Sequence, residues 1–258
     1  MTHRRLARVF APDGKTLIVA FDHGAGGANY AGMADPARTL REVVAAGADA
    51  VLTTVGVVRH HGHLIERVGL ILNLDRLVGS PEYAVEDALR LGADMGKFVC
   101  TPWSPDNPTS VHEARRLSAI CRAWGLPLMV ETIPVSFQAV EHHTPEKIGQ
   151  AAKIGEELGA DVIKMHYTGS LETFRQAIRP LSVPVVILGG PARSDTRSVL
   201  EEVAGAMAAG ARGVAIGRNI WAHEHPGRMV AALGAIIHGG ATVDEAMREL
   251  ERPLLAGR

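Results

Sequence analysis

The chain has 258 residues, 27 of them Lys or Arg and 28 Asp or Glu, for a formal net charge of -1. That balance offers no electrostatic footprint for nucleic acid or an anionic membrane. Cys100 and Cys121 make neither a disulfide framework nor a zinc spacing, and no apolar run reaches transmembrane length, so a cytoplasmic protein is expected.

A turn at Pro12-Asp-Gly14 introduces the first predicted strand, Leu17 to Asp22, which runs into a glycine-rich loop reaching Gly32. Asp35 before Pro36 reads as the N-cap of a helix to Ala46. Gly47-Ala-Asp49 leads to a second strand, Val51 to Thr54, and Leu70 to Leu74 is a third. Ser80-Pro81 opens a helix ending near Leu91. Gly92-Ala-Asp94 repeats the helix-to-strand phrase before a fourth strand, Lys97 to Cys100. Ser110-x-x-Glu113 has the form of a capping box for a helix ending near Trp124. Leu128 to Glu131 is the fifth strand. Thr144-Pro145 opens the next helix, and Gly159-Ala-Asp161 ends it before the sixth strand, which carries Lys164. A helix from Ser170 to Ile178 precedes the seventh strand, Val183 to Leu188, which ends in Gly189-Gly190. Another helix and Gly210-Ala-Arg212 lead to the eighth strand, Val214 to Ile216, closed by Gly217-Arg218-Asn219. Two helices finish the chain, the last with the capping box Thr242-x-x-Glu245.

Eight apolar strands therefore alternate with helices. Parallel strands covered on both faces read as continuous apolar runs, as these do. The closed solution is a single α/β domain over residues 1–258, a (β/α)8 or TIM barrel. The open doubly wound sheet needs a G-x-G-x-x-G turn after its first strand, and Asp22-His-Gly-Ala-Gly-Gly27 lacks that spacing.

In such a barrel the active site lies at the C-terminal strand ends. Asp22, Glu131 and Lys164 fall there, on strands one, five and six. A buried ammonium loses hydration and tends towards the neutral amine, which can attack a carbonyl and form a Schiff base. Lys164 is the expected nucleophile; a lysine snorkelling from a strand end is the plainer alternative. Glu131 follows apolar residues, so burial should raise its pKa and suit it to acid/base work, unless it is only a structural partner of Lys164. Asp22 can orient the lysine or relay a proton, or merely cap a turn. Tyr167 and His166, just past Lys164, can contribute a proton or simply pack. Lys97 could assist Lys164 by lowering its pKa but is expected to point elsewhere, and Cys100 is expected to be a small core residue. Gly189, Gly190, Gly217 and Arg218, after strands seven and eight, read as a phosphate site. His60-His61-x-His63 reads as a solvated face rather than a metal site. No His/Asp/Glu cluster is expected on the strand ends, so the reaction is expected to need neither metal nor cofactor.

Val19-Ala-Phe-Asp-His-Gly24, Val162-Ile-Lys-Met-His-Tyr-Thr-Gly169, Val185-Val-Ile-Leu-Gly-Gly-Pro191 and Gly213-Val-Ala-Ile-Gly-Arg-Asn-Ile220 resemble the class I aldolases of the DeoC/FbaB/LacD superfamily. The archaeal-type fructose-bisphosphate aldolases are the nearest group in this resemblance, which covers nearly the whole chain. It implies a Schiff base on Lys164, a role for Asp22, phosphate at Gly189, Gly190, Gly217 and Arg218, and a homo-oligomer. One departure stands out. The archaeal-type enzymes place an acid/base tyrosine just before a proline after strand five, where this chain has Ile133 before Pro134. Glu131 instead resembles the glutamate of the tagatose-bisphosphate and sulfosugar branch. The expected activity is a metal-independent aldol cleavage or synthesis of a phosphorylated keto-sugar. The alternatives are a lysine-dependent transferase, transaldolase-like or thiolase-like, and a barrel that binds a phosphorylated ligand without turnover.

Overall fold

The computed structural model describes residues 4–27, 31–75 and 80–251. Its eight parallel strands close into one barrel in chain order. They are β1 Thr16–Phe21, β2 Ala50–Thr53, β3 Gly69–Asn73, β4 Met95–Cys100, β5 Leu128–Thr132, β6 Val162–Met165, β7 Val185–Leu188 and β8 Gly213–Ile216. Helix α1 is Leu6–Val9, ahead of the barrel; α2 Pro36–Ala45, α3 Val55–His61, α4 Pro81–Arg90, α5 Ser110–Trp124, α6 Pro145–Glu157, α7 Leu171–Ile178 and α8 Thr196–Ala209 follow the first seven strands. After β8 come α9 Arg218–Trp221, α10 Pro226–Ile237 and α11 Val243–Glu251. The TIM-barrel expectation is met. Strand ends differ from those read in the sequence by a residue or two; β7 starts at Val185, since Pro184 has no N–H for the ladder. Residues 28–30 of the glycine-rich loop lie outside the described residues.

Strand alternation sorts the side chains into two populations. Ile18, Ala50, Ile71, Met95, Met129 and Val162 fill the barrel interior with Val186 and Ala215. Their neighbours Leu17, Val51, Leu72, Val130 and Ile163 pack outward against the helices. Helix α1 stops the N-terminal end. Val9 is fully buried in the interior cluster, and the Thr16 hydroxyl donates to its carbonyl at 2.6 Å.

The repeated Gly-Ala-Asp phrase has a structural cause. Asp49 Oδ2 accepts the Leu17 N–H at 2.7 Å, Asp94 Oδ2 that of Leu70 at 3.0 Å, and Asp161 Oδ2 that of Leu128 at 2.9 Å. Each aspartate's own N–H donates back to the carbonyl of the same leucine. Every second junction is thus stapled to the preceding strand. The altered copy keeps only the backbone half: Arg212 N–H donates to the Val185 carbonyl at 2.7 Å.

Asp35, Ser80 and Thr144 cap their helices as expected. The Thr242–Glu245 box closes in both directions, at 2.8 and 3.3 Å. The Ser110–Glu113 box does not form. Ser110 is buried as the first residue of α5, and its hydroxyl accepts the Thr101 N–H at 2.6 Å; Glu113 pairs with Thr109 instead. His60 and His61 end α3, and His63 follows in a 3-10 turn.

Candidate active site

The inward parity that carries apolar residues through the lower barrel continues to its C-terminal mouth. There it presents Asp22, Asn73, Asp75, Lys97, Glu131, Lys164 and His166 to a cavity of about 500 Å³. Lys164, Glu131 and Lys97 are each at most 5% exposed. The register sets Glu131 on β5 directly beside Lys164 on β6. Their charged atoms lie 2.9 Å apart, and the other Glu131 oxygen lies 3.0 Å from Lys97 Nζ. Lys97 also meets Asp75 at 2.5 Å and Asp22 at 3.6 Å. Asp22 accepts from the Asn73 amide, and Asp75 accepts the Val99 N–H at 2.6 Å.

Two expectations reverse here. Lys97 does not point away: Met95, Lys97 and Val99 share the inward face of β4, and three carboxylates gather around the ammonium. Nor does Glu131 have a raised pKa. Burial alone would raise it, but the ammoniums of Lys164 and Lys97 outweigh burial and hold it down to about 2. Asp22 is likewise lowered, since Lys97 and Lys164 overcome the effect of its burial. Burial drives Asp75 up despite its Lys97 partner. Three carboxyl groups face the two lysines. Asp22 makes no side-chain cap to the turn His23–Gly26.

The loops after β7 and β8 form the neighbouring wall. Gly190 has φ +63°, and a Cβ at Gly217 would stand 2.4 Å from the Ala20 carbonyl oxygen. Backbone geometry therefore requires these glycines whatever else they do. Asn219, of the Gly217-Arg218-Asn219 turn, ties the two loops together. Its amide donates to the carbonyls of Gly189 at 2.7 Å and Pro191 at 3.1 Å, and its oxygen accepts the Arg193 N–H. Arg218 lines the cavity, with a buried Nε that has no partner among the described residues.

Tyr167 is not brought to the site. It sits on the outward parity of β6, one residue from His166, with its ring 5.2 Å from that of Phe174. Its hydroxyl lies against Gly205 of α8, where a Cβ would be 2.5 Å away. His166 takes the inward place and stacks on His143 at 4.4 Å. His23, Phe137 and Gln138 also line the cavity. Counting in twos along the strands from Ile71 reaches Asn73 and Asp75, which the sequence left unmarked, and from Met95 reaches Lys97.

A cavity of about 770 Å³ lies at the opposite end, lined chiefly by apolar residues such as Leu6, Phe10, Ile178 and Val183. None of the residues of the mouth cluster reaches it. Cys100 and Cys121 are buried free thiols, pushed up by burial to about 11 and about 12. Among the described residues no helix is long and apolar enough to cross a membrane.

The chain is similar to known proteins over most of its length. Residues 16–223 match the family model described as DeoC/LacD family aldolase. The 2-amino-3,7-dideoxy-D-threo-hept-6-ulosonate synthase of Halobacterium salinarum is 34% identical over 251 residues, with 94% of each chain covered. The class 1 fructose-bisphosphate aldolase of Thermoproteus tenax is 33% identical over 257 residues, covering 94% of this chain and 97% of the relative. The crystal structure of an archaeal fructose 1,6-bisphosphate aldolase superposes with a TM-score of 0.79 at 32% identity, covering 92% of this chain and 99% of the other.

Proposed function

The chain belongs to the DeoC/LacD family of aldolases, and from that premise we propose that it makes or breaks a carbon–carbon bond of a phosphorylated keto-sugar through a Schiff base on Lys164. The observation that carries this reading is the Glu131–Lys164 pair, buried and 2.9 Å apart at the barrel mouth. A related archaeal fructose-1,6-bisphosphate aldolase has its catalytic lysine bound covalently to the carbinolamine of its substrate.

Nucleophilic attack requires the free amine. Glu131 takes the ammonium proton of Lys164, and the amine adds to the ketone carbon. The carbinolamine hydroxyl takes that proton back from Glu131 and leaves as water, giving an iminium and restoring the Glu131 carboxylate. The electron pair of the adjacent carbon–carbon bond then flows to the iminium nitrogen, giving an enamine. The hydroxyl on the departing carbon loses its proton to Glu131 and becomes an aldehyde. A carboxylate held at a low pKa passes protons on rather than keeping them. Lys97 holds Glu131 in place and, through Asp75 and Asp22, fixes the charge around it. Asp22 assists formation and hydrolysis of the carbinolamine. The glycine loops and Arg218 hold the phosphate, so that binding energy remote from the reacting bond places the ketone at the lysine.

Borohydride reduction with a panel of phosphorylated ketoses tests this. A reduced sugar adduct on Lys164, found by peptide mass and absent in Lys164→Met, is the expected result. No adduct with any ketose phosphate, or one on another lysine, would sink it.

A second reading follows from the Halobacterium relative, whose name is that of an ulosonate synthase. On this reading the enamine on Lys164 is captured by a different acceptor, the transferase alternative. Product analysis with and without added aldehyde acceptors separates the two.

A further inference from the structure

Three side chains lining the cavity around Lys164 carry a buried nitrogen with no hydrogen-bond partner among the described residues: His23 Nδ1, His166 Nε2 and Arg218 Nε. Such groups are uncommon in folded proteins, and each calls for a reason. His23 Nδ1 has the Asp22 carboxylate 3.5 Å away. Arg218 stands with the glycine loops that follow β7 and β8. His166 has neither explanation.

Strand parity puts His166 beside the reacting lysine. It follows β6 on the inward parity of Val162 and Lys164, one step nearer the open end of the barrel, and it is half-buried. Its ring is held from behind. His143 stacks on it with ring centroids 4.4 Å apart, and His143 Nε2 meets the Ser136 carbonyl at 2.9 Å. The preceding residue, Val135, sits at φ +62°, and its N–H donates to the Pro102 carbonyl at 2.9 Å. A β-branched residue in that conformation is strained, so the contacts of this loop must hold it there. The imidazole is therefore set in place by the fold, as a group that reads a ligand needs to be.

Its chemistry suits a hydroxyl group. Burial, with His143 and Lys164 beside it, pushes its pKa down to about 4, so the ring is neutral near pH 7. A neutral imidazole has one donor and one acceptor nitrogen, and a hydroxyl also both donates and accepts. Gln138, on the same side of the cavity, adds an amide that does likewise.

We propose that His166 is a further substrate-contacting residue, which selects the departing half of the substrate by hydrogen-bonding the hydroxyl on the carbon next to its aldehyde carbon. The place of that half rests on the Schiff-base reading above. With the ketone carbon on Lys164 and the phosphate at Arg218, the departing half runs towards His166. Glu131, beside Lys164, serves the hydroxyl that becomes the aldehyde. His166, one inward step further along the strand direction, meets the next.

The test runs the reaction in the direction of synthesis. Dihydroxyacetone phosphate is the ketone, and glycolaldehyde or acetaldehyde, which differ by that hydroxyl, is the acceptor. Borohydride trapping of dihydroxyacetone phosphate, read by peptide mass, reports the Lys164 adduct separately. The wild type should favour glycolaldehyde by about tenfold or more in kcat/KM, and His166→Phe should lower that ratio by about tenfold or more. His166→Gln keeps a donor and an acceptor and should retain part of the preference. Each protein is compared with itself, so partial unfolding lowers both rates and leaves the ratio. Equal use of the two aldehydes by the wild type, a ratio unmoved in His166→Phe, or a His166→Gln ratio as low as that of His166→Phe overturns the proposal. With the Lys164 adduct present, those results leave the Schiff-base reading standing. A preference lost in His166→Phe, without any adduct on Lys164, overturns the Schiff-base reading and leaves the role of His166 standing. No product from either aldehyde overturns the proposal, and no adduct besides overturns both.

Discussion

Lys97 is the residue on which the charge balance of the site turns. Its neighbours Asp22, Asp75 and Glu131 are all within 3.6 Å of its ammonium. Lys97→Met keeps the side-chain length and removes the charge, leaving three carboxylates with Lys164 alone. Breaking a buried ion pair on one side costs about 3–5 kcal/mol, so this variant should unfold at markedly lower urea near pH 7. The sign with pH is specific. In the wild type, Glu131 sits below its ordinary value, at about 2. Its stabilisation is present above its unfolded value and is lost as pH falls through about 2. Without Lys97 the carboxyls lose a cation, the main one for Asp22 and Asp75, and their folded pKa values rise. The penalty is then greatest at neutral pH and shrinks on acidification as they take up protons. Urea titrations of both proteins at pH 7 and pH 4 measure it; a gap that widens towards pH 4 contradicts this account. The sequence put Lys164 and Glu131 at strand ends, but it turned Lys97 away from the mouth and left Tyr167 open between proton transfer and packing. Strand parity decides both: 95, 97 and 99 share one face of β4, and 167 lies on the other face of β6 from 164.

At the scale of elements, the Gly-Ala-Asp phrases separate stability from activity. Asp94 is 3% exposed, and its carboxylate accepts the buried Leu70 N–H at the N-terminal end of β3. Asp94→Ala leaves that N–H without its acceptor, a loss of about 1–3 kcal/mol. The staple lies at the end of the barrel remote from the mouth, where contacts serve stability rather than catalysis. Chemical denaturation should therefore record the loss, while kcat/KM at permissive temperature stays within about twofold, a change worth under about 0.5 kcal/mol in the barrier. A large fall in kcat/KM without a shift in the denaturation midpoint would contradict the separation. The recurrence was plain in the sequence, but its purpose was not. A junction phrase shows where a helix ends; only the pairing of adjacent strands shows that the aspartate reaches back across the ladder.

For the whole molecule, the decisive event is closure of β1 on β8, where Thr16 pairs with Gly213. Gly213 has φ +142°, and a Cβ there would stand 1.8 Å from the Thr16 carbonyl oxygen. Gly213→Ala should weaken the seam and destabilise the fold by about 3 kcal/mol or more, read as a fall in the urea midpoint; an unchanged midpoint would mean the seam tolerates a side chain. The sequence by itself determined the eight apolar strands, their alternation with helices and the placing of Asp22, Glu131, Lys164 and the glycine loops at strand ends. These are local properties: apolar runs, caps and breakers act over a few residues, and in a parallel barrel the strand end is the mouth. Tertiary structure alone decided the charge balance of the mouth, the bridging by Lys97 and the tie made by Asn219. Each depends on side chains from strands far apart in sequence meeting within hydrogen-bond distance, where burial and the sum of neighbouring charges set the chemistry.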